Sequence, residues 1–84
     1  MISRTVSVNF LGTQRQTTGE DTIAIEISGD MRVRDIIEIV KDRYPELDLD
    51  ESNILITVNQ EKAASDTILQ GGDVISFVPH IGGG

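Results

Sequence analysis

With 84 residues, the chain has room for one small domain with a core, but not for a core and a roomy substrate cleft as well. Fourteen acidic against seven basic residues give a net charge of −7, which makes nucleic acid a poor partner. Cysteine is absent, which excludes disulfides, Cys-ligated zinc, iron–sulfur clusters and a Cys nucleophile. No apolar run is long enough to span a bilayer, and Met1-Ile2-Ser3-Arg4-Thr5-Val6-Ser7-Val8 lacks the continuous apolar stretch of a secretion signal, so a cytoplasmic location with no membrane partner is expected.

Thr5 to Leu11 alternates, with Val6, Val8 and Phe10 on one face and Ser7 and Asn9 on the other, as a half-buried strand requires. The polar connection from Gly12 to Gly19 is too long for a two-residue hairpin turn and suits a wider one with a helical turn inside. A second strand follows over Thr22 to Ile27, with Ile23, Ile25 and Ile27 on one face. The period then changes: Val33, Ile36, Ile37, Val40 and Tyr44 form one stripe of a helix, which Pro45 ends. For the helix start, Asp30 is a candidate cap, and Arg32 with Asp35 stands where a capping box would have Ser or Thr.

Leu47 to Glu51 reads as an acidic loop, Ile54 to Val58 as a β-branched strand and Gln60 to Ala64 as a short edge strand. Ile68 and Leu69 are two apolar anchors before the glycine turn at Gly71-Gly72. In the last strand Ile75 and Phe77 point inward, while Val74, Ser76 and Val78 point the other way. The order β, β, α, β, short β, β predicts an α+β fold: one domain over 1–78, a sheet with one helix across a single face, and a flexible tail over 79–84.

That tail ends in Gly82-Gly83-Gly84. Glycine has no Cβ, so such a segment can lie extended in a channel too narrow for side chains. From Pro79 onward it reaches roughly 20 Å at ~3.3–3.6 Å per residue, far enough to enter another protein's active site. It cannot be a phosphate loop, which must feed a helix N-terminus. His80 is the sole histidine, so neither a metal cluster nor a Ser-His-Asp arrangement can be built, and it reads as a linker residue. Glu46, Asp48, Asp50 and Glu51 lack the glycine and the spaced final Glu of a calcium loop and read as solvated. Leu11 and Val78 are outward-facing apolar positions near the strand ends from which the tail emerges, and together they form a modest docking patch.

Three segments in this order carry a resemblance: Phe10 to Gly19, with an Arg in the turn and a closing Thr-Gly; Val58-Asn59-Gln60; and Leu69 to Gly84, with Gly72-Asp73-x-x-x-Phe-x-Pro leading to the glycines. The combination resembles the β-grasp sulfur carriers, ubiquitin-like proteins that include the small subunit of molybdopterin synthase and the thiamine-pathway carrier. Here Phe77-Val78-Pro79-His80 keeps one aromatic and one proline where the family commonly has two of each.

The resemblance implies a β-grasp fold whose last strand runs centrally beside strand one. It implies that an E1-like adenylyltransferase, consuming ATP, joins AMP to the Gly84 carboxylate, and that a sulfur donor such as a cysteine desulfurase or rhodanese-type protein converts this terminus to a thiocarboxylate. Gly84 and Gly83 then carry the chemistry, while Leu11, Phe77, Val78, Pro79, His80, Ile81 and Gly82 bind partners, among them a larger synthase subunit. No cofactor is expected on the chain itself. The leading reading is a non-enzymatic carrier for molybdopterin synthesis, favoured by the long Gly12 to Gly19 connection. Carriers for thiamine, tRNA thiolation or cysteine synthesis share the tail, and a ubiquitin-like protein modifier and an interaction domain with an inert tail are the other classes.

Overall fold

The computed structural model describes residues 4–50 and 52–79. The elements follow the order β1 (Arg4–Asn9), α1 (Thr13–Thr18), β2 (Thr22–Ile27), α2 (Val33–Arg43), β3 (Ile54–Val58), β4 (Glu61–Lys62) and β5 (Val74–Pro79). The sheet order is β2-β1-β5-β3-β4. β1 runs parallel to β5 and every other pairing is antiparallel, so the sheet is mixed. β5, last in sequence, lies at the centre, as expected for a β-grasp.

The alternation in β1, β2, β3 and β5 aims one set of side chains at α2. Val8, Ile75, Phe77, Val33, Ile36 and Val40 are completely buried where the two layers meet. Phe10, just past β1, meets the Tyr44 ring edge-on with centroids 5.6 Å apart, so the C-terminal end of α2 is fixed over the end of β1.

The start of α2 differs from a Ser/Thr capping box. Arg32, not Asp30, is the N-cap, and its backbone N–H donates to Asp35 Oδ2 at 2.8 Å. The guanidinium has no acceptor atom to offer the helix and instead donates to the Asp66 carbonyl at 2.7 Å. The N–H groups of Val33 and Arg34 find the carbonyls of Thr67 (3.0 Å) and Ser65 (2.9 Å), so a loop from the far end of the chain satisfies donors that a cap would otherwise serve.

The helical turn expected between Gly12 and Gly19 is present, and two other sequence expectations change in detail. The Gly12 to Gly19 connection holds a six-residue helix, α1, closed by Gly19 at φ 76°, a backbone conformation open to glycine. The stretch from Leu47 is not simply a solvated loop: Leu47 and Leu49 are buried in the core while Glu46, Asp48 and Asp50 face water. Of the two apolar anchors, only Leu69 is buried; Ile68, which forms an isolated antiparallel bridge with Arg32, is 48% exposed.

Candidate functional site

β1 and β5 are parallel and finish at the same end of the sheet, so the tail leaves beside the end of β1. The two edges of β5 stop at different places. The β1 pairing ends at Asn9↔Ser76, whereas the β3 pairing continues to Ile54↔Pro79. The last three residues of β5 therefore have a strand partner on one side only.

Gln14 occupies the other side. It is the one polar residue in the buried set among the described residues, at 6% exposure. Its Nε2 donates to the Phe77 carbonyl at 2.8 Å, and its Oε1 accepts the Leu11 N–H at 3.0 Å. Only one orientation of the amide satisfies both partners, because Leu11 offers a donor and Phe77 an acceptor. α1 delivers this side chain: Gly12 turns the chain at φ 56°, and Gln14 N–H donates to the Leu11 carbonyl at 3.0 Å.

On the face of the sheet away from α2, three apolar side chains lie in a row across this end. Val78 is directly opposite Leu55 in the β3–β5 ladder. Leu11 lies beyond the end of β1, next to Val78 through the Gln14 amide that engages both the Leu11 N–H and the Phe77 carbonyl; it is 37% exposed. Leu55 and Val78 are half-buried. Elsewhere this face carries Ser7, Asn9, Thr57 and Ser76, the half-buried Val74, and the exposed charges Glu26 and Lys62 towards its two edges, so the row is the apolar feature of the exit end.

On the helix side of the same end, Thr13, Gln14, Thr17, Glu46, Asp48 and Pro79 contribute to a recess of about 280 Å³. Its neighbourhood is acidic. The nearby Arg15 guanidinium is 3.8 Å from Asp21, an exposed pair of little energetic weight. The acidic loop binds itself together: Asp48 Oδ1 accepts the Asp50 N–H, Asp48 Oδ2 accepts Asn53 Nδ2, and Asp50 Oδ1 accepts both the N–H and the hydroxyl of Ser52. The Ser52 backbone bond, then its hydroxyl, then Lys41, hold the Asp50 carboxyl below its ordinary value against a small opposing effect of burial. Among the described residues no three His, Cys, Asp or Glu side chains gather to hold a metal ion, and no helix is long and apolar enough to cross a membrane.

The structure thus brings Leu11, Val78 and Pro79 together at the root of the tail. Phe77 is there too, but its ring is fully buried and supports the surface from behind, so only its backbone reaches the exit. His80, Ile81, Gly82, Gly83 and Gly84 lie outside the described residues. Two participants escaped the sequence reading. Leu55 was signalled by its place between inward Ile54 and Ile56. Gln14 was not: nothing in Thr-Gln-Arg-Gln-Thr-Thr separates it from Gln16 before α1 is in place.

A mixed sheet grasping one long helix, with the last strand central and leading to a glycine terminus, defines a ubiquitin-like β-grasp protein. The chain belongs to the ThiS family, whose model matches residues 8–84. It is 28% identical over 80 residues to the molybdopterin synthase sulfur carrier subunit of Mycobacterium tuberculosis, covering 94% of this chain and 96% of that one. A solved structure from Pyrococcus furiosus, described as a molybdopterin converting factor subunit 1, superposes with a TM-score of 0.82 at 32% identity, covering 94% of this chain and all of that one. A complex of subunits 1 and 2 of the Helicobacter pylori molybdopterin-converting factor matches with a TM-score of 0.62 at 25% identity, covering 95% of this chain and 99% of that one. The protein is a non-catalytic sulfur carrier of this family.

Proposed function

We propose that this carrier is the small subunit of a molybdopterin synthase and that its sulfur travels on the Gly84 carboxylate. The observation that carries this reading is the exit of β5: a central strand, held on both edges up to Phe77, passes an apolar row and delivers the chain at Pro79 five residues before Gly84. The likeness to molybdopterin-type subunits from three organisms is consistent with this pathway.

The chemistry follows from the poor electrophilicity of a carboxylate. In the site of an E1-like adenylyltransferase, a carboxylate oxygen attacks the α-phosphorus of ATP and pyrophosphate leaves, giving an acyl adenylate. The terminal sulfur of a donor persulfide then attacks the acyl carbon, AMP departs with the oxygen, and a thiol cleaves the resulting acyl disulfide to leave the thiocarboxylate. Each step needs the reacting atoms held about 3–3.5 Å apart, and a terminus without side chains is the shape that fits a closed active site. The larger synthase subunit then receives this terminus and takes the sulfur onto a pterin precursor.

Intact-mass measurement after reaction with the adenylyltransferase, ATP and a sulfur donor should show one oxygen replaced by sulfur. Deleting Gly84 should abolish this and leave the fold intact, because the terminal residue adds no side chain to the core. Sulfur transfer at the full rate by the truncated chain would sink the proposal, and transfer to a thiazole or tRNA acceptor, with none to the pterin, would move it to another branch.

A further inference from the structure

Gln14 lies five residues after Asn9, the last paired residue of β1, and sixty-three before its partner Phe77, yet it is buried with both ends of its amide engaged. What it engages is specific to the exit. The Leu11 N–H belongs to the first member of the apolar row, and the Phe77 carbonyl belongs to the peptide group joining Phe77 to Val78, the central member. One side chain therefore ties two docking positions to each other and to the strand that becomes the tail.

We propose that Gln14 is a positioning residue for the carrier's C-terminal acylation: its amide takes the place of the β1 strand where β1 has ended, and so fixes the tail root relative to the surface a partner grips. This rests on the sulfur-carrier reading. Without the amide, the Phe77 carbonyl loses its partner on the β1 side, the last residues of β5 are held by β3 alone, and the tail starts from a variable place although the apolar row remains. A partner would still bind the row, but the terminal carboxylate would meet the α-phosphorus in fewer of the bound complexes.

The kinetic signature separates positioning from stability. Partial unfolding removes carrier from solution, which raises the apparent KM and leaves kcat alone. Mispositioning leaves docking largely intact and lowers kcat, as for an interaction realised in the transition state. The test is ATP–pyrophosphate exchange by an E1-like adenylyltransferase, with the full chain as the varied substrate and melting curves in parallel. Gln14→Leu, which keeps the volume and removes both hydrogen bonds, should lower kcat about tenfold with KM changed less than about threefold, a fall of the size that one lost positioning contact produces.

Gln14→Glu supplies a second arm that does not depend on tolerance of Leu. Its carboxylate has no proton for the Phe77 carbonyl, and burial beside Glu46 and Asp48, with Arg15 turned to Asp21, raises its pKa against the opposing effect of the Leu11 N–H. Its kcat relative to wild type at the same pH should therefore rise as pH falls, when the protonated acid donates where Gln14 Nε2 did. Wild-type kcat in the Leu variant, a loss confined to KM, or a flat ratio for the Glu variant where the Leu variant does not fold, would each overturn the inference. A wild-type chain that forms no adenylate would overturn the carrier reading itself and take this inference with it.

Discussion

Asn59 Nδ2 donates to Asp73 Oδ1 at 3.0 Å, joining the turn after β3 to the residue just before β5. The same side chain accepts the Val74 N–H through Oδ1 at 3.0 Å, and Asn59 N–H donates to the Val74 carbonyl at 2.8 Å. Asp73 uses its other oxygen for the Gln70 N–H at 2.8 Å. This network holds Asn59 and Gln60 at φ 54° and 72°, the conformation of a tight two-residue hairpin. The motif Val58-Asn59-Gln60 therefore has a structural role: it anchors the start of the strand whose other end releases the tail.

The two turn residues should respond oppositely to substitution. Asn59→Ala removes the side-chain bonds and leaves an alanine in a left-handed conformation, at a cost of about 1–3 kcal/mol. Gln60→Gly relieves the same strain at a position with no side-chain hydrogen bond to lose, and after the entropic cost of glycine should stabilise by about 0.5–1 kcal/mol. Thermal melts resolve both, since ~1 kcal/mol moves the midpoint of a domain this size by roughly 4–8 °C. A loss in Gln60→Gly would show that the entropic cost of glycine, not the relief of backbone strain, dominates at this position.

Asp50 sets an acid dependence of stability. Its folded-state pKa is lowered from an ordinary value of 3.8, so the native state favours the ionised form. Its stabilising contribution is complete above that ordinary value and is lost as pH falls below 3.8 through the lowered one. Urea midpoints measured in this range should fall less steeply for Asp50→Asn than for wild type. Ser52→Ala, which removes the hydroxyl bond and keeps the stronger backbone bond, should fall between them. Parallel curves for all three chains would show that the loop's hydrogen bonds do not couple to folding.

The fold was legible because its two periods are clean. Val6, Val8 and Phe10 alternate, Val33, Ile36, Ile37 and Val40 repeat at helical spacing, and each set is buried as its period demands. Leu47 and Leu49 obeyed the strand period too, but their acidic neighbours disguised core residues as solvated loop. Arg32 showed no cap chemistry, because α2 is capped by carbonyls of Ser65 and Thr67, more than thirty positions away in the chain. At the exit, Leu11 and Val78 followed from alternation. Gln14 depends on where β1 stops relative to β5, a register that no local pattern encodes.

The apolar row should govern docking without governing stability. Leu11→Asp places a carboxylate at a position already 37% exposed, so the stability should stay within about 0.5 kcal/mol of wild type. At a partner interface the same carboxylate would be desolvated without a counter-charge, and affinity for the larger synthase subunit should fall at least tenfold, which is about 1.4 kcal/mol or more. Isothermal titration with the full chain reads this directly. The polar face offers an internal control in Thr5, at the opposite end of β1, where Thr5→Asp should leave the affinity unchanged. Equal effects at both positions would mean that net charge, not the row, controls binding.

The last expectation separates a carrier from a protein modifier, since the same activated carboxylate can acylate an amine. A modifier ends as an isopeptide on other proteins and often on itself. This chain has two lysines, Lys41 on α2 and Lys62 in β4, both exposed, so self-linked chains are sterically open and their presence or absence is informative. A carrier gives up its sulfur inside a closed partner site, where the thiocarboxylate meets the acceptor and not a lysine. Affinity purification of the full chain from its own cells should therefore recover a stable complex with a larger subunit and few covalent adducts. Digestion should yield few target lysines bearing a remnant of the Gly82-Gly83-Gly84 tail. Abundant conjugates, including adducts on Lys41 or Lys62, with no larger subunit co-purifying, would place the protein among the modifiers.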